Sequence, residues 1–140
     1  MTVHLVNPSH VSFGTGVITP RWLYVLASAT PDVYGIPSLI DDTLEQIDVG
    51  KVKAGDVVGI SIHRGNAPRG DEVGRLARDR GAFGVFRVIH ATLYPDEPHE
   101  HGGAHSVVRG DGDRIWGTVL DDRAEGRPCR VYEAGRLDPG

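Results

Sequence analysis

Four segments of this 140-residue chain carry residue types that do chemistry. The first is Asn7-Pro8-Ser9-His10-Val11-Ser12-Phe13-Gly14-Thr15-Gly16. Its small polar residues and glycines suit backbone contacts to a large polar ligand, and equally suit a loop folded over a sheet edge. The second is Ser61-Ile62-His63-Arg64-Gly65-Asn66, which sets a hydroxyl, an imidazole, a guanidinium and an amide close together. Asn66 there serves equally as a helix cap, with His63 and Arg64 in solvent. The third gathers His90, His99, His101 and His105 near Asp96, Glu97 and Glu100, all metal-donor types. No histidine pair stands at i, i+4 around a glutamate, as H-E-x-x-H requires. His99 and His101 flank Glu100, and residues two apart do not share a helical face, so a solvated acidic turn competes with a metal site. The fourth is Gly110-Asp111-Gly112-Asp113, which offers polar contacts, helix capping, or both.

Several chemistries are excluded by what is missing. There is no G-x-x-x-x-G-K-[ST] phosphate loop, and Gly14-Thr15-Gly16 lacks the third glycine of a dinucleotide fingerprint. No G-x-S-x-G elbow presents a nucleophilic serine. The single cysteine, Cys129, rules out a disulfide framework and any four-cysteine zinc or iron–sulfur site within the chain. With 15 Lys+Arg against 19 Asp+Glu, the net charge of −4 argues against nucleic acid, whose phosphates demand a basic face. No apolar run approaches the roughly 20 residues of a transmembrane helix, and the start at Met1-Thr2-Val3-His4 lacks the basic region of a signal peptide. A soluble, cytoplasmic domain is expected. Its 19 glycines and 9 prolines imply many tight turns, or backbone lying close to a ligand.

The elements that must position these residues follow from apolar periodicity. Strands are expected at Val3–Val6, Ser38–Ile40, Val57–Ile62, Val85–Ile89 and Ser106–Val108, with Cys129–Tyr132 as a candidate edge strand. Thr19-Pro20 reads as cap and first residue of an apolar helix through Leu23, Leu26 and Ala27. Trp22 and Tyr24 on that helix either cover the sheet or face a partner, such as a second copy in a homodimer. A second helix is expected from Pro68 to Arg80, with Val73, Leu76 and Ala77 on one face and Gly81 to end it. A third starts near Asp111 or Asp113, buries Trp116, Val119 and Leu120, and stops at Gly126. Strands alternating with helices specify an α/β, flavodoxin-like (Rossmann-like) three-layer domain, with a five-stranded parallel sheet in the order 2-1-3-4-5. That domain takes residues 1–134, and residues 135–140 are expected to form a disordered tail. Ligands of such sheets bind beyond the carboxyl ends of the strands, where most of the segments above emerge.

Taken in order, several motifs resemble the N-terminal cobalamin-binding domain of cobalamin-dependent radical S-adenosylmethionine enzymes. They are Asn7-Pro8-Ser9-His10, Gly14-Thr15-Gly16, Thr19-Pro20-Arg21-Trp22-Leu23, Gly59-Ile60-Ser61-Ile62-His63 with Gly65-Asn66, Ile89-His90-Ala91-Thr92-Leu93-Tyr94-Pro95, and Gly110-Asp111-Gly112-Asp113. The resemblance implies a cobalamin cofactor at the carboxyl edge, its nucleotide tail inserted beside the sheet. It also implies contacts from Ser9, His10, Thr15, Gly16, Ser61, His63, Arg64, Gly65, Asn66, Arg87, Val88, His90, Ala91, Thr92, Gly110, Asp111 and Gly112. Cobalt is expected to have no direct protein ligand. His10, the one candidate, is followed by Gly14 rather than by a glycine three residues on, and Pro8 replaces the aspartate of the wider D-x-H-x-x-G pattern.

Two departures from the family shape the functional expectation. Arg87-Val88 stands where the family has a glycine pair, and the chain lacks the C-x-x-x-C-x-x-C cysteines of a radical domain. The expected function is a cobalamin-binding module without catalysis of its own: a separated domain of a radical S-adenosylmethionine enzyme, a carrier, or a cobalamin-based sensor. Its expected partners are cobalamin and a radical S-adenosylmethionine domain or protein. The alternatives are a flavodoxin-like interaction or regulatory domain that has lost cobalamin, and a binder of another ligand such as a metal or tetrapyrrole.

Overall fold

Apolar residues on both sides of a strand require cover on both sides, and β1 (Val3–Asn7) is buried along its whole length. In the computed structural model, which describes residues 2–7, 21–41, 49–62, 67–88, 105–109, 115–129 and 131–133, β1 lies inside a parallel sheet. α1 (Arg21–Ala29), β2 (Ser38–Asp41), β3 (Val57–Ile62), α2 (Ala67–Asp79) and β4 (Phe83–Val88) follow. β5 (Ser106–Arg109), α3 (Trp116–Ala124) and β6 (Val131–Glu133) complete the described elements. The strand order is β2-β1-β3-β4-β5-β6 and every pairing is parallel. This is the flavodoxin-like order, extended by one strand.

Strand alternation sorts the core into two clusters. Val3, Leu5, Val57, Val85 and Val108 face α1 and α3, meeting Leu23, Leu26, Trp116, Val119 and Leu120. Val6, Val58, Ile60, Phe86 and Val107 face α2, meeting Val73 and Ala77. Each large side chain so buried contributes about 1.5–3 kcal/mol relative to leaving it in water. The three expected layers are present.

Several element ends differ from the expected bounds by a residue or two, and four of the differences bear on the architecture. β4 begins at Phe83, two residues ahead of Val85, because Phe83 pairs with Val57 and packs into the first cluster. α3 begins at Trp116 rather than at an aspartate, its first turn marked by burial of the indole and not by an acidic cap. The edge strand is Val131–Glu133 rather than 129–132, and it makes the sheet six-stranded by pairing with β5. α2 closes at Asp79, one residue before Arg80. Gly81 follows it at φ +84°, a conformation that side chains rarely adopt, and its carbonyl accepts the Gly55 N–H at 3.0 Å. Pro20, Ile89 and the tail 135–140 lie outside the described residues.

At the amino edge, Asp56 joins the starts of β1 and β3. Its carboxylate accepts the Thr2 N–H at 2.9 Å and the Lys53 N–H at 3.0 Å, and lies 3.0 Å from His4 Nε2. Burial pushes the Asp56 carboxyl up, but the Thr2 N–H, the His4 imidazole and the Lys53 N–H outweigh it and hold the group below its ordinary value.

Candidate functional site

The chain leaves β1 toward β2 on one side and returns to β3 on the other. The carboxyl ends of β1 and β3 therefore bound the crevice where sheets of this kind take ligands. α1, α2 and α3 follow β1, β3 and β5, so each begins at this edge and offers it the positive end of its dipole.

Register puts a polar row there. Ser61 pairs with Arg87, and one step on from the Val6–Ile60 pair Asn7 comes alongside Ser61. These three residues share the face covered by α1 and α3, one row beyond Leu5, Gly59 and Val85. Asn7 and Ser61 are buried, and Arg87 is half-buried. Arg87 reaches across to β3, its Nη1 donating to Ser61 Oγ at 3.3 Å.

Beneath the row lies an apolar slot lined by Leu26, Gly59, Val85, Val108 and Trp116, with Arg87 at its polar end. Gly59 explains the slot's tightness. A Cβ at that position would stand 3.0 Å from Trp116 Cη2 and 3.0 Å from Leu5 Cδ2, so the indole already occupies the space that the glycine frees. The indole is held in place: Nε1 donates to Thr30 Oγ1 at 3.0 Å, and that hydroxyl donates to the Leu26 carbonyl at 2.8 Å. The enclosed part of the slot has room for little more than a water-sized group.

Of the residues singled out in the sequence, the structure brings Ser61 and Arg87 together and places Val88 at the end of β4, in register with Ile62. Ser9, His10, Thr15, Gly16, His63, Arg64, Gly65, Asn66, His90, Ala91, Thr92, Gly110, Asp111 and Gly112 lie outside the described residues, as do His99 and His101. His105 sits at the opposite, amino edge. Its Nδ1 accepts the Gly84 N–H at 3.1 Å and its ring stacks on Phe83 with centroids 4.9 Å apart, so that nitrogen is committed to the strand junction. Among the described residues no three histidine, cysteine or acidic side chains are grouped to hold a metal ion, and no helix is long and apolar enough to cross a membrane. Cys129 is exposed and leads into β6, away from the polar row. Sequence reading identified Trp116 as core but not as a wall of the slot. The signal was Gly59 in mid-strand, which marks a close approach by something large.

No family model matches the chain. Two curated relatives come from Chlorobaculum tepidum. The bacteriochlorophyllide d C-8(2)-methyltransferase is 32% identical over 117 residues, covering 84% of this chain and 25% of the relative. The bacteriochlorophyllide d C-12(1)-methyltransferase is 30% identical over 114 residues, covering 81% and 24%. The chain thus spans about a quarter of the length of these relatives. Among solved structures, the radical S-adenosylmethionine methyltransferase TsrM from Kitasatospora setae, with tryptophan and an S-adenosylmethionine analogue bound, superposes with a TM-score of 0.68 at 23% identity. That match covers 90% of this chain and 26% of the other. The form of TsrM with cobalamin and a [4Fe-4S] cluster bound gives the same TM-score over 91% and 25%. At this identity the likeness is one of fold.

Proposed function

We propose that this domain binds a corrinoid of the cobalamin class on the carboxyl edge of its sheet, as the cofactor-holding part of a methyl-transferring system. The observation that carries the reading is the polar row Asn7–Ser61–Arg87 at the switch point between β1 and β3. A corrin presents a rim of amides, and a row of amide, hydroxyl and guanidinium groups supplies the donors and acceptors that rim requires. In support, two relatives are named as methyltransferases, and a structural neighbour was solved with cobalamin bound. A corrinoid's cobalt supplies a centre that accepts and donates a methyl group; this chain's residues bind and orient it. With Cys129 the single cysteine of these 140 residues, the ligands of any iron–sulfur cluster lie outside them, and a radical S-adenosylmethionine domain is the partner that fits.

The row offers polar partners to a macrocycle's amides, whereas the enclosed part of the slot beneath it, with room for little more than a water-sized group, is too small for a nucleotide tail. This second point also favours one of the two alternatives, an interaction domain that has lost its cofactor. Reconstitution decides between them. Protein incubated with hydroxocobalamin or with cobinamide and then desalted is expected to retain at least one of the corrin spectra. Elution of both corrinoids with the salt, from protein of native circular dichroism, overturns the corrinoid reading and leaves the interaction domain.

A further inference from the structure

Every large apolar side chain that the described residues leave in water comes from one stretch: Tyr24 is 56% exposed, Val33 81% and Ile36 95%. Single exposed apolar residues are ordinary, whereas a segment that gathers all of them marks an interaction surface. Charge is missing from the same place. From Trp22 to Pro37 the sequence has one charged residue, Asp32. α2, on the other face of the sheet, shows how a solvated helix of this protein differs: Glu72, Arg75, Arg78 and Asp79 all stand exposed on it.

The turn that carries Val33 and Ile36 is built to hold them out. Pro31 and Pro37 bracket it and restrict its backbone. Between them the Tyr34 N–H donates to the Pro31 carbonyl and the Gly35 N–H to the Asp32 carbonyl, each at 3.0 Å, and Gly35 takes φ +79°. Two ties fasten the turn to α3. Tyr34 packs against the first cluster and its hydroxyl donates to Asp121 Oδ1, while the Pro31 ring lies over Gly117, its Cγ 3.6 Å from where a Cβ would stand. Apolar side chains already fixed in water give up little freedom on meeting a partner, so little of the gain from burying them is lost to ordering.

We infer that this face, the outer side of α1 with the turn 31–37, joins two copies of the chain in a two-fold symmetric dimer. The choice of occupant rests on the corrinoid reading. Ile36 stands two residues ahead of Ser38, which pairs with His4 near the start of β1, so the turn lies toward the amino edge. A corrinoid, and a radical domain that must reach its cobalt, belong to the carboxyl edge and leave this face free. A second copy fits it by charge. Two chains of net charge −4 repel each other, and a face with a single charged residue opposes like charges least. The patch is modest, so association in the micromolar range is expected rather than an obligate dimer.

Sedimentation equilibrium of the 140-residue chain, without corrinoid, tests this from about 1 to about 500 µM, a span that brackets a micromolar Kd. The mass is expected to rise from monomer to dimer, and about 0.5 M sodium chloride is expected to leave the association no weaker, since little charge is involved. Val33→Asp and Ile36→Asp are each expected to weaken it about tenfold or more, with Arg78→Ala on α2 unchanged. Circular dichroism checks that the variants fold; should an aspartate disturb the turn, Ile36→Thr, which keeps the branched shape, carries the comparison. A monomer at every concentration overturns the inference and leaves this face to a different protein. So does association that fades with salt, that ignores both aspartates, or that Arg78→Ala weakens equally. Because the measurement needs no corrinoid, these outcomes leave the corrinoid reading standing, and loss of both corrinoids on desalting overturns that reading without touching the measured mass.

Discussion

At the scale of single residues, the tightest constraint is Gly59. No positive φ demands glycine there; neighbours do, because a methyl group would meet both Leu5 and Trp116 at 3.0 Å. Gly59→Ala is therefore expected to destabilise the fold by about 1–3 kcal/mol, the range for overpacked cores, although alanine elsewhere in a strand is the better residue. Denaturant unfolding checks it, and a neutral or stabilising change would mean that the indole moves freely. His10 poses the other residue-scale question. Because the D-x-H-x-x-G spacing is broken at both Pro8 and Gly14, cobalt in a loaded protein is expected to have no protein nitrogen below it. Electron paramagnetic resonance of the cobalt(II) form with cobinamide, which has no base of its own, reads this directly. Superhyperfine splitting from an axial nitrogen, lost in His10→Ala, would reverse the assignment.

At the scale of elements, β3 is tied at its two ends by different chemistry: to β4 through Ser61 and Arg87 at the carboxyl edge, and to β1 through the Asp56 carboxylate at the amino edge. Asp56 gives that edge a pH dependence. Its folded-state carboxyl lies below the ordinary 3.8, so the unfolded chain binds its proton first as the medium is acidified. The stabilisation is thus fully present above the ordinary carboxylate range and is lost as pH falls through 3.8 toward the lowered value. Asp56→Asn is expected to destabilise the protein at neutral pH, leaving His4 and two backbone N–H groups with a poorer acceptor. It is also expected to flatten the acid limb of the stability curve. Urea unfolding from pH 7 down to pH 3 measures both, and an unchanged acid limb would show that other carboxylates govern it.

At the scale of the whole molecule, the sheet is a single partition between two apolar clusters, and neither can be exposed without disturbing the strands that both share. Unfolding is therefore expected to be one cooperative transition. Phe86, fully buried under α2, and Leu5, fully buried under α1 and α3, probe opposite faces. Phe86→Ala is expected to cost about 3–5 kcal/mol and Leu5→Ala about 2–5 kcal/mol, each shifting the midpoint with the slope unchanged. A biphasic curve in either variant would show that the two layers come apart separately.

What was legible in the chain itself is local. Runs such as Val57–Ile62 announce buried strands by composition alone, and the helical spacing of Val73 and Ala77 announces one face of α2. Alternating elements then narrow the topology to the parallel order that the sheet adopts, because few connections are compatible with it. β6 was legible only in outline. Its three residues are too few to signal a strand, and their backbone groups acquire partners only when β5 lies beside them. Ser61 stood out by residue type, and Arg87, 26 positions on, only as a departure from the glycine pair that the resemblance implies. That they share a row with Asn7, and that a guanidinium bridges two strands there, depends on register, which the packed sheet decides. His105 shows the converse. Its neighbours in sequence suggest metal donors, whereas its neighbours in space are the Gly84 N–H and the Phe83 ring. Gly59 and Trp116, far apart in the chain, become one feature only when α3 lies on the sheet, because steric exclusion acts between surfaces that folding alone brings together.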